Sequence, residues 1–212
     1  MADYKKPDYW QQKARSEGYP ARSVYKLQEI EEKFALFSAP RPGDFRILDL
    51  GAAPGSWSLY VLRKMMKSNW RSRGFLAAAD LSPLSREFDK GLFDGANFFF
   101  LQGDITDAEV SEALLAKGSY SLIISDAAPA TTGNHMVDSA RSLDLAEAVL
   151  VYAETALVAG GNLVLKIFQG GDSAALLKRM KALFKTAKSF KPQACRGESV
   201  ETYYVGLGRL SG

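Results

Sequence analysis

Apolar runs of strand length alternating with helical patterns predict an α/β protein, a mostly parallel sheet with helices on both faces. Three observations carry that expectation. Strand-like runs lie at 46–50, 74–79, 97–102, 120–125, 162–168 and 202–207. Helical periodicity fills 57–67, 107–117, 139–158 and 172–184 between them. Three successive strands also run into an acid or a glycine turn, at Asp49-Leu50-Gly51, Asp80 and Asp104. Sheets of this kind bind ligands beyond the carboxyl ends of their strands, where the strand order reverses.

The chain of 212 residues, 47% apolar and 24% charged, suits one soluble domain with a substantial core. A helical prefix over 1–39 is expected to dock on a core over 46–208. No apolar run approaches the ~18 residues of a membrane helix, and MADYKKPDYW has no apolar signal region. The single cysteine, Cys195, excludes an internal disulfide and fits a reducing cytoplasm. With a single histidine, His135, it cannot build a zinc site. Net charge is only +3, but it is unevenly spread. Arg63, Lys64, Lys67, Arg71 and Arg73 form one acid-free stretch, and seven basic residues from Lys178 to Arg196 form another. Basic stripes suit a polyanion such as RNA, because phosphate contacts release counterions; a solvated helix face has the same composition.

In the prefix, Val24, Leu27, Ile30 and Phe34 recur at helical spacing, with Arg22, Lys26, Glu29 and Lys33 on another side. The turn at 40–44 separates it from the core. The stretch from Arg46 to Trp57 reads as strand, tight turn and helix N-terminus. Gly51 and Gly55 allow a sharp bend and a close ligand, and Asp49 offers a polar partner. An ordinary βα turn shares that layout. Ala52, Ala53 and Pro54 break the G-x-G-x-x-G spacing of a dinucleotide site. At the next strand ends, Asp80 could accept two ribose hydroxyls and Asp104 an adenine amino group. After the fourth strand comes Ser125-Asp126-Ala127-Ala128-Pro129. It lacks the aromatic residue that stacks a base in amino-group methyltransferases and the cysteine that attacks cytosine. Lys166 interrupts the apolar run 162–168, a strand expected to be buried on both faces. A buried ammonium is costly unless paired, so a packing role explains it poorly.

The string Asp49-Leu-Gly-Ala-Ala-Pro-Gly-Ser-Trp57-Ser, together with Ser125-Asp-Ala-Ala-Pro129, resembles the heat-shock-type RNA 2′-O-ribose methyltransferases, the FtsJ or RrmJ family. Gly133, Asp138 and Ala21-Arg-Ser-Val-Tyr-Lys-Leu27 continue the likeness, which runs from about Tyr9 to Gly208. The resemblance implies a Rossmann-like class I methyltransferase with a seven-stranded, mostly parallel sheet. It implies S-adenosylmethionine as cofactor, with Asp49, Gly51, Pro54, Gly55, Trp57, Asp80, Asp104 and Asp126 as the residues that bind it. It also maps a catalytic tetrad onto Lys26, Asp126, Lys166 and Glu201, with no metal. From the residues alone Lys26 reads as an exposed helix position, and Glu198 competes with Glu201. Only the family's Ser-x-Glu before its last strand, matched by Ser199-Val200-Glu201, selects the latter.

The implied reaction passes a methyl group in line to a ribose 2′-hydroxyl, with Lys166 as base. A lysine so used must be partly neutral, which takes about 4 kcal/mol of bias to bring ~10.4 near 7–8. Asp126 would orient the amine, Lys26 would depress its pKa, and Glu201 would hold Lys26 or the ribose. The bacterial members point to a uridine of large-subunit ribosomal RNA, acted on by a cytoplasmic monomer; a tRNA anticodon-loop ribose is the sister option. The long loop 81–96 and the basic loop 67–73 depart from the family and bear on substrate choice. Two rival classes remain, a nicotinamide oxidoreductase, which lacks its glycines here, and a silent RNA-binding relative, which would have no reason to keep Lys166.

Overall fold

A computed structural model describes residues 9–37, 45–67, 74–197 and 199–211. The turn expected at 40–44, Arg71, Arg73 and Glu198 lie outside them. In chain order the elements are α1 (Tyr9–Ser16), α2 (Val24–Phe34), β1 (Phe45–Leu50), α3 (Ser56–Lys67), β2 (Gly74–Asp80) and β3 (Phe98–Gln102). There follow α4 (Ala108–Leu115), β4 (Tyr120–Ser125), α5 (His135–Ala156), β5 (Leu157–Phe168), α6 (Ser173–Leu183), β6 (Phe184–Phe190) and β7 (Glu201–Arg209). The strands form a seven-stranded sheet in the order β3-β2-β1-β4-β5-β7-β6.

Strands β3 to β5 are parallel, as expected of helical crossovers. β7 runs antiparallel to β5, and β6 antiparallel to β7, so the sheet is mixed at that side. The order reverses between β1 and β4, whose ends are flush: Leu50 pairs with both Ala79 and Ser125. That reversal leaves a crevice beyond the carboxyl ends of β1 and β4, where a ligand can enter between the helices.

Alternation along the strands divides the core. One face packs Ile47, Leu122, Ile124, Val164 and Tyr203 under α2 and α3. The other packs Leu48, Ile123, Leu163, Leu165 and Ile167 under α5 and α6. The prefix is part of the first core: Val24, Leu27 and Ile30 are fully buried, as their spacing requires. Asn162 ties prefix to sheet, its amide donating to Leu36 O (3.1 Å) and its Oδ1 accepting from Gly208 N (3.0 Å).

Several sequence readings need correction. The six runs omit β6, whose sequence FKTAKSF passes for more of the basic stripe. Its lysines alternate with inward Phe184 and Ala187 on an edge strand, where charge discourages pairing with other chains. β5 begins at Leu157, five residues early, and α5 begins at His135, because Asn134 caps it by accepting from Met136 N and Val137 N. Much of the basic charge is also consumed internally. Arg63 donates to the carbonyls of Glu17, Gly18 and Phe88; Lys64 pairs with Glu31, and Arg179 bridges Glu147 and Glu154 on α5.

Candidate active site

The turn after β1 is pressed against the loop after β4. Gly51 has φ +77°, and a Cβ there would lie 2.5 Å from Ala127 Cα. Only glycine meets both demands. Gly51 N and Ala52 N donate to Ala79 O (2.9 and 3.1 Å), and Ala53 N donates to the Asp80 carboxylate (2.9 Å). Asp80 also accepts from Ser82 N (2.8 Å), so β2 fixes the turn and the turn fixes Asp80. Asp104 accepts from the backbone N–H and hydroxyl of Thr106 (2.8 and 2.7 Å), bonds that hold its carboxyl below the usual range. Between these groups lies a cavity of about 450 Å³, lined among others by Gly51, Asp80, Asp104, Ile105, Ala127 and Leu145. Its size and mixed lining suit a small-molecule ligand.

Other residues expected at the cofactor stand behind this lining. Asp49 is fully buried; one carboxylate oxygen accepts from Ser58 Oγ (2.6 Å), and the other has no partner among the described residues. Burial, with the nearby charges of Asp126 and Asp80, pushes its carboxyl up to about 7 against the opposing Ser58 bond. Trp57 donates from its indole to Ser23 O (2.7 Å) and packs 5.9 Å from the Tyr203 ring, clamping prefix to core. Gly55 is buried against Phe93, and Pro54 is exposed at the tip of the turn.

Beside the cavity the chain brings together the four residues Lys26, Asp126, Lys166 and Glu201. Lys166 comes from β5 and donates from Nζ to Asp126 O (2.6 Å) and Asp126 Oδ1 (2.9 Å). Lys26 comes from α2 and pairs with Glu201 of β7 at 2.7 Å. All four side chains are 9–15% exposed, so the pairs are held in a largely dry recess with one wet edge. Burial acts to lower the Lys26 ammonium, but Asp126 and Glu201 outweigh it and raise the group above its ordinary value. The Asp126 carboxyl goes the other way: burial would raise it, yet Lys166 and Lys26 pull it below the usual range. Lys26 therefore enters the site as half of an ion pair rather than as a bare cation.

Tyr203 is the residue that the sequence reading passed over. It is fully buried, its hydroxyl donates to Asp126 Oδ1 (2.6 Å), and Lys26 Nζ stands 6.0 Å from its ring centroid. Asp126 Oδ1 thus accepts from Lys166 and Tyr203 together, which fixes its rotamer. The signal was available, since Glu201 and Tyr203 are two apart on a strand and must share a face. Cys195 is buried in the turn before β7 and bonds to Glu201; burial, with that neighbour, pushes its thiol up to about 12.

A family model described as FtsJ-like methyltransferase matches residues 19–209. The chain is 51% identical over 204 residues to Ribosomal RNA large subunit methyltransferase E of Treponema denticola, covering 96% of each chain. It is 44% identical over 203 residues to the protein of the same name from Oleidesulfovibrio alaskensis, covering 95% of this chain and 91% of that one. Among solved structures, a ribosomal RNA methyltransferase described as putative, from Plasmodium falciparum, superposes with TM-score 0.74 at 24% identity, over 92% of this chain and all of that one. A Thermus thermophilus 16S rRNA methyltransferase bound to AdoMet and guanosine gives TM-score 0.55 at 18% identity, over 98% of this chain and 45% of that one. These two likenesses bear on the fold alone, a class I methyltransferase sheet.

Proposed function

The chain belongs to the FtsJ-like methyltransferase family, and from that premise we propose that it methylates a ribose 2′-hydroxyl of large-subunit ribosomal RNA. It is an S-adenosylmethionine-dependent RNA methyltransferase. The residues of the cavity fit that cofactor. Asp80 and Asp104 offer carboxylate oxygens to sugar hydroxyls and an exocyclic amine, and Ile105 and Leu145 offer apolar contact to a purine. Asp80 and Asp126 lie near enough to Asp49 to add to the rise of its carboxyl, and the Asp80 and Asp104 carboxylates on the cavity wall suit a cationic ligand. When bound, S-adenosylmethionine supplies an electrophilic methyl group on a cationic sulfur.

The observation that carries the ribose reading is the amine of Lys166, held by the backbone carbonyl and one carboxylate oxygen of Asp126 at the edge of the cavity. There Lys166, in its neutral amine form, takes the hydroxyl proton and becomes an ammonium, and Asp126 aims its Nζ. Tyr203 locks Asp126 in place. Lys26 and Glu201 close the recess on the side of the prefix and give the ribose oxygens a donor and an acceptor. The work of the site is positioning plus proton removal. A uridine is the favoured nucleotide, and a cytoplasmic monomer the favoured state; no described helix is long and apolar enough to cross a membrane.

The test is methyl transfer to large-subunit particles, free ribosomal RNA and tRNA in parallel, followed by nuclease mapping. Ribosomal RNA should carry the label at a ribose. Lys166→Ala should lower turnover by about 10²–10⁴ and leave cofactor affinity within about twofold. Near-normal rates in that variant would remove Lys166 from the chemistry, and label on a base would replace the ribose reading.

A further inference from the structure

A second recess, of about 300 Å³, is lined by close chain neighbours of two tetrad residues: Phe168, two positions beyond Lys166, and Val200, next to Glu201. Thr131 and Gly133 of the β4–α5 loop, His135 and Ser139 of α5, Phe168 at the end of β5 and Val200 before β7 line it. We propose that it receives the base of the nucleotide whose ribose is methylated, turned out of the stack of its neighbours. The inference rests on the ribose-methylation reading and adds the subsite that reads the substrate.

Its position is fixed by the strand ladder. Lys166 pairs with Tyr203 and Phe168 with Glu201. Opposed residues of an antiparallel pair share a face with Cβ atoms about 5 Å apart, and two steps along a strand cover about 7 Å. The Cβ of Phe168 therefore stands about 7 Å from that of Lys166, about the span of one nucleoside, and Val200 is the chain neighbour of Glu201. In a nucleoside the base hangs from the carbon next to the one bearing the 2′-hydroxyl, so an oxygen at Lys166 places the base within that radius. The two recesses are lined from successive parts of one loop, the one that follows Asp126. Ala127 to Ala130 line the cofactor cavity, whereas Thr131 and Gly133 line the other. With the first fitted to the cofactor, the second, across the same loop, suits the base.

Its chemistry agrees. Phe168 brings an aromatic ring, and the Thr131 hydroxyl and His135 imidazole bring polar atoms with no partner among the described residues. RNA recognition of unstacked bases uses this combination of a ring to stack on and groups for the base edge. Val200 (38% exposed), Val137 (38%) and Met136 (82%) add exposed apolar surface at or beside the rim that a docked base would cover. Asp138 also lines the recess but is the loop's organiser: its carboxylate accepts from Thr132 N, Thr132 Oγ1 and Gly133 N.

Val200→Trp and Thr131→Trp, both at exposed positions, would fill the recess. Each should raise KM for the ribosomal RNA substrate tenfold or more, with cofactor affinity and thermal midpoint unchanged. A photoreactive thio-base placed at the mapped methylation position should cross-link to the peptide spanning 131–139 or to those carrying Phe168 or Val200. KM within twofold in both Trp variants, or a cross-link confined to other peptides, overturns the subsite while wild-type methylation keeps the parent reading. A wild-type enzyme that labels no RNA removes both.

Discussion

Asp49 carries a carboxylate into the fully buried interior. With its carboxyl raised from 3.8 to about 7, the folded state binds a proton that the unfolded chain releases between those values. Stability must then fall as pH rises from about 4 to about 7, by up to ~1.4 kcal/mol per unit. Asp49→Asn keeps an acceptor for Ser58 and removes the ionisation. Its thermal midpoint should exceed wild type at pH 8, and the gap should close toward pH 4; a gap independent of pH would mean that Asp49 is ionised at no such cost. Tyr203 invites the converse test. Tyr203→Phe removes one donor to Asp126 and leaves Lys166 as the other. Turnover should fall about tenfold, as a loosened carboxylate aims the amine less often, while the substrate KM holds. An unchanged kcat would show that Lys166 alone orients Asp126.

At the scale of elements, what the sequence shows and what it hides follow from how local each signal is. The strand–turn–helix around Gly51 is written in adjacent residues, and so is the oddity of Lys166 in an apolar strand. Lys26 is different. Its helix places it among Arg22, Glu29 and Lys33, a stripe that reads as solvated, yet it is 8% exposed because Glu201 of β7 covers it. Glu29, half-buried, likewise accepts from Gln193 N and Ala194 N. Those partners are more than 160 residues away, and no periodicity within α2 reports them. β6 was hidden for a related reason: an edge strand buries one face, and its lysines look the same in a helix. The glycine turn allows a sharp prediction. Gly51→Ala would add a Cβ 2.5 Å from Ala127 Cα at φ +77°, where an L-residue already loses about 1–2 kcal/mol. Calorimetric titration should show cofactor affinity reduced more than tenfold, with a lowered thermal midpoint. Retained affinity would mean that the β4–α5 loop yields without cost.

For the molecule as a whole, the tetrad is also the joint between prefix and sheet. Lys26 and Glu201 are 175 positions apart and meet at 2.7 Å in a nearly dry place. Removing one partner leaves a buried charge, which typically costs 3–5 kcal/mol, whereas replacing both with apolar residues of similar volume is often neutral or stabilising. Lys26→Met and Glu201→Leu should therefore each destabilise the fold in denaturant titrations by roughly that amount, and the double variant should recover most of the loss. Activity should not recover with it. In the proposed mechanism the double variant has a sound recess but no donor and acceptor for the ribose, so kcat should stay as low as in the worse single variant. Recovery of both stability and methyl transfer would make the pair a fastener only. Recovery of stability alone separates the two roles, and it would place the prefix inside the catalytic unit rather than beside it.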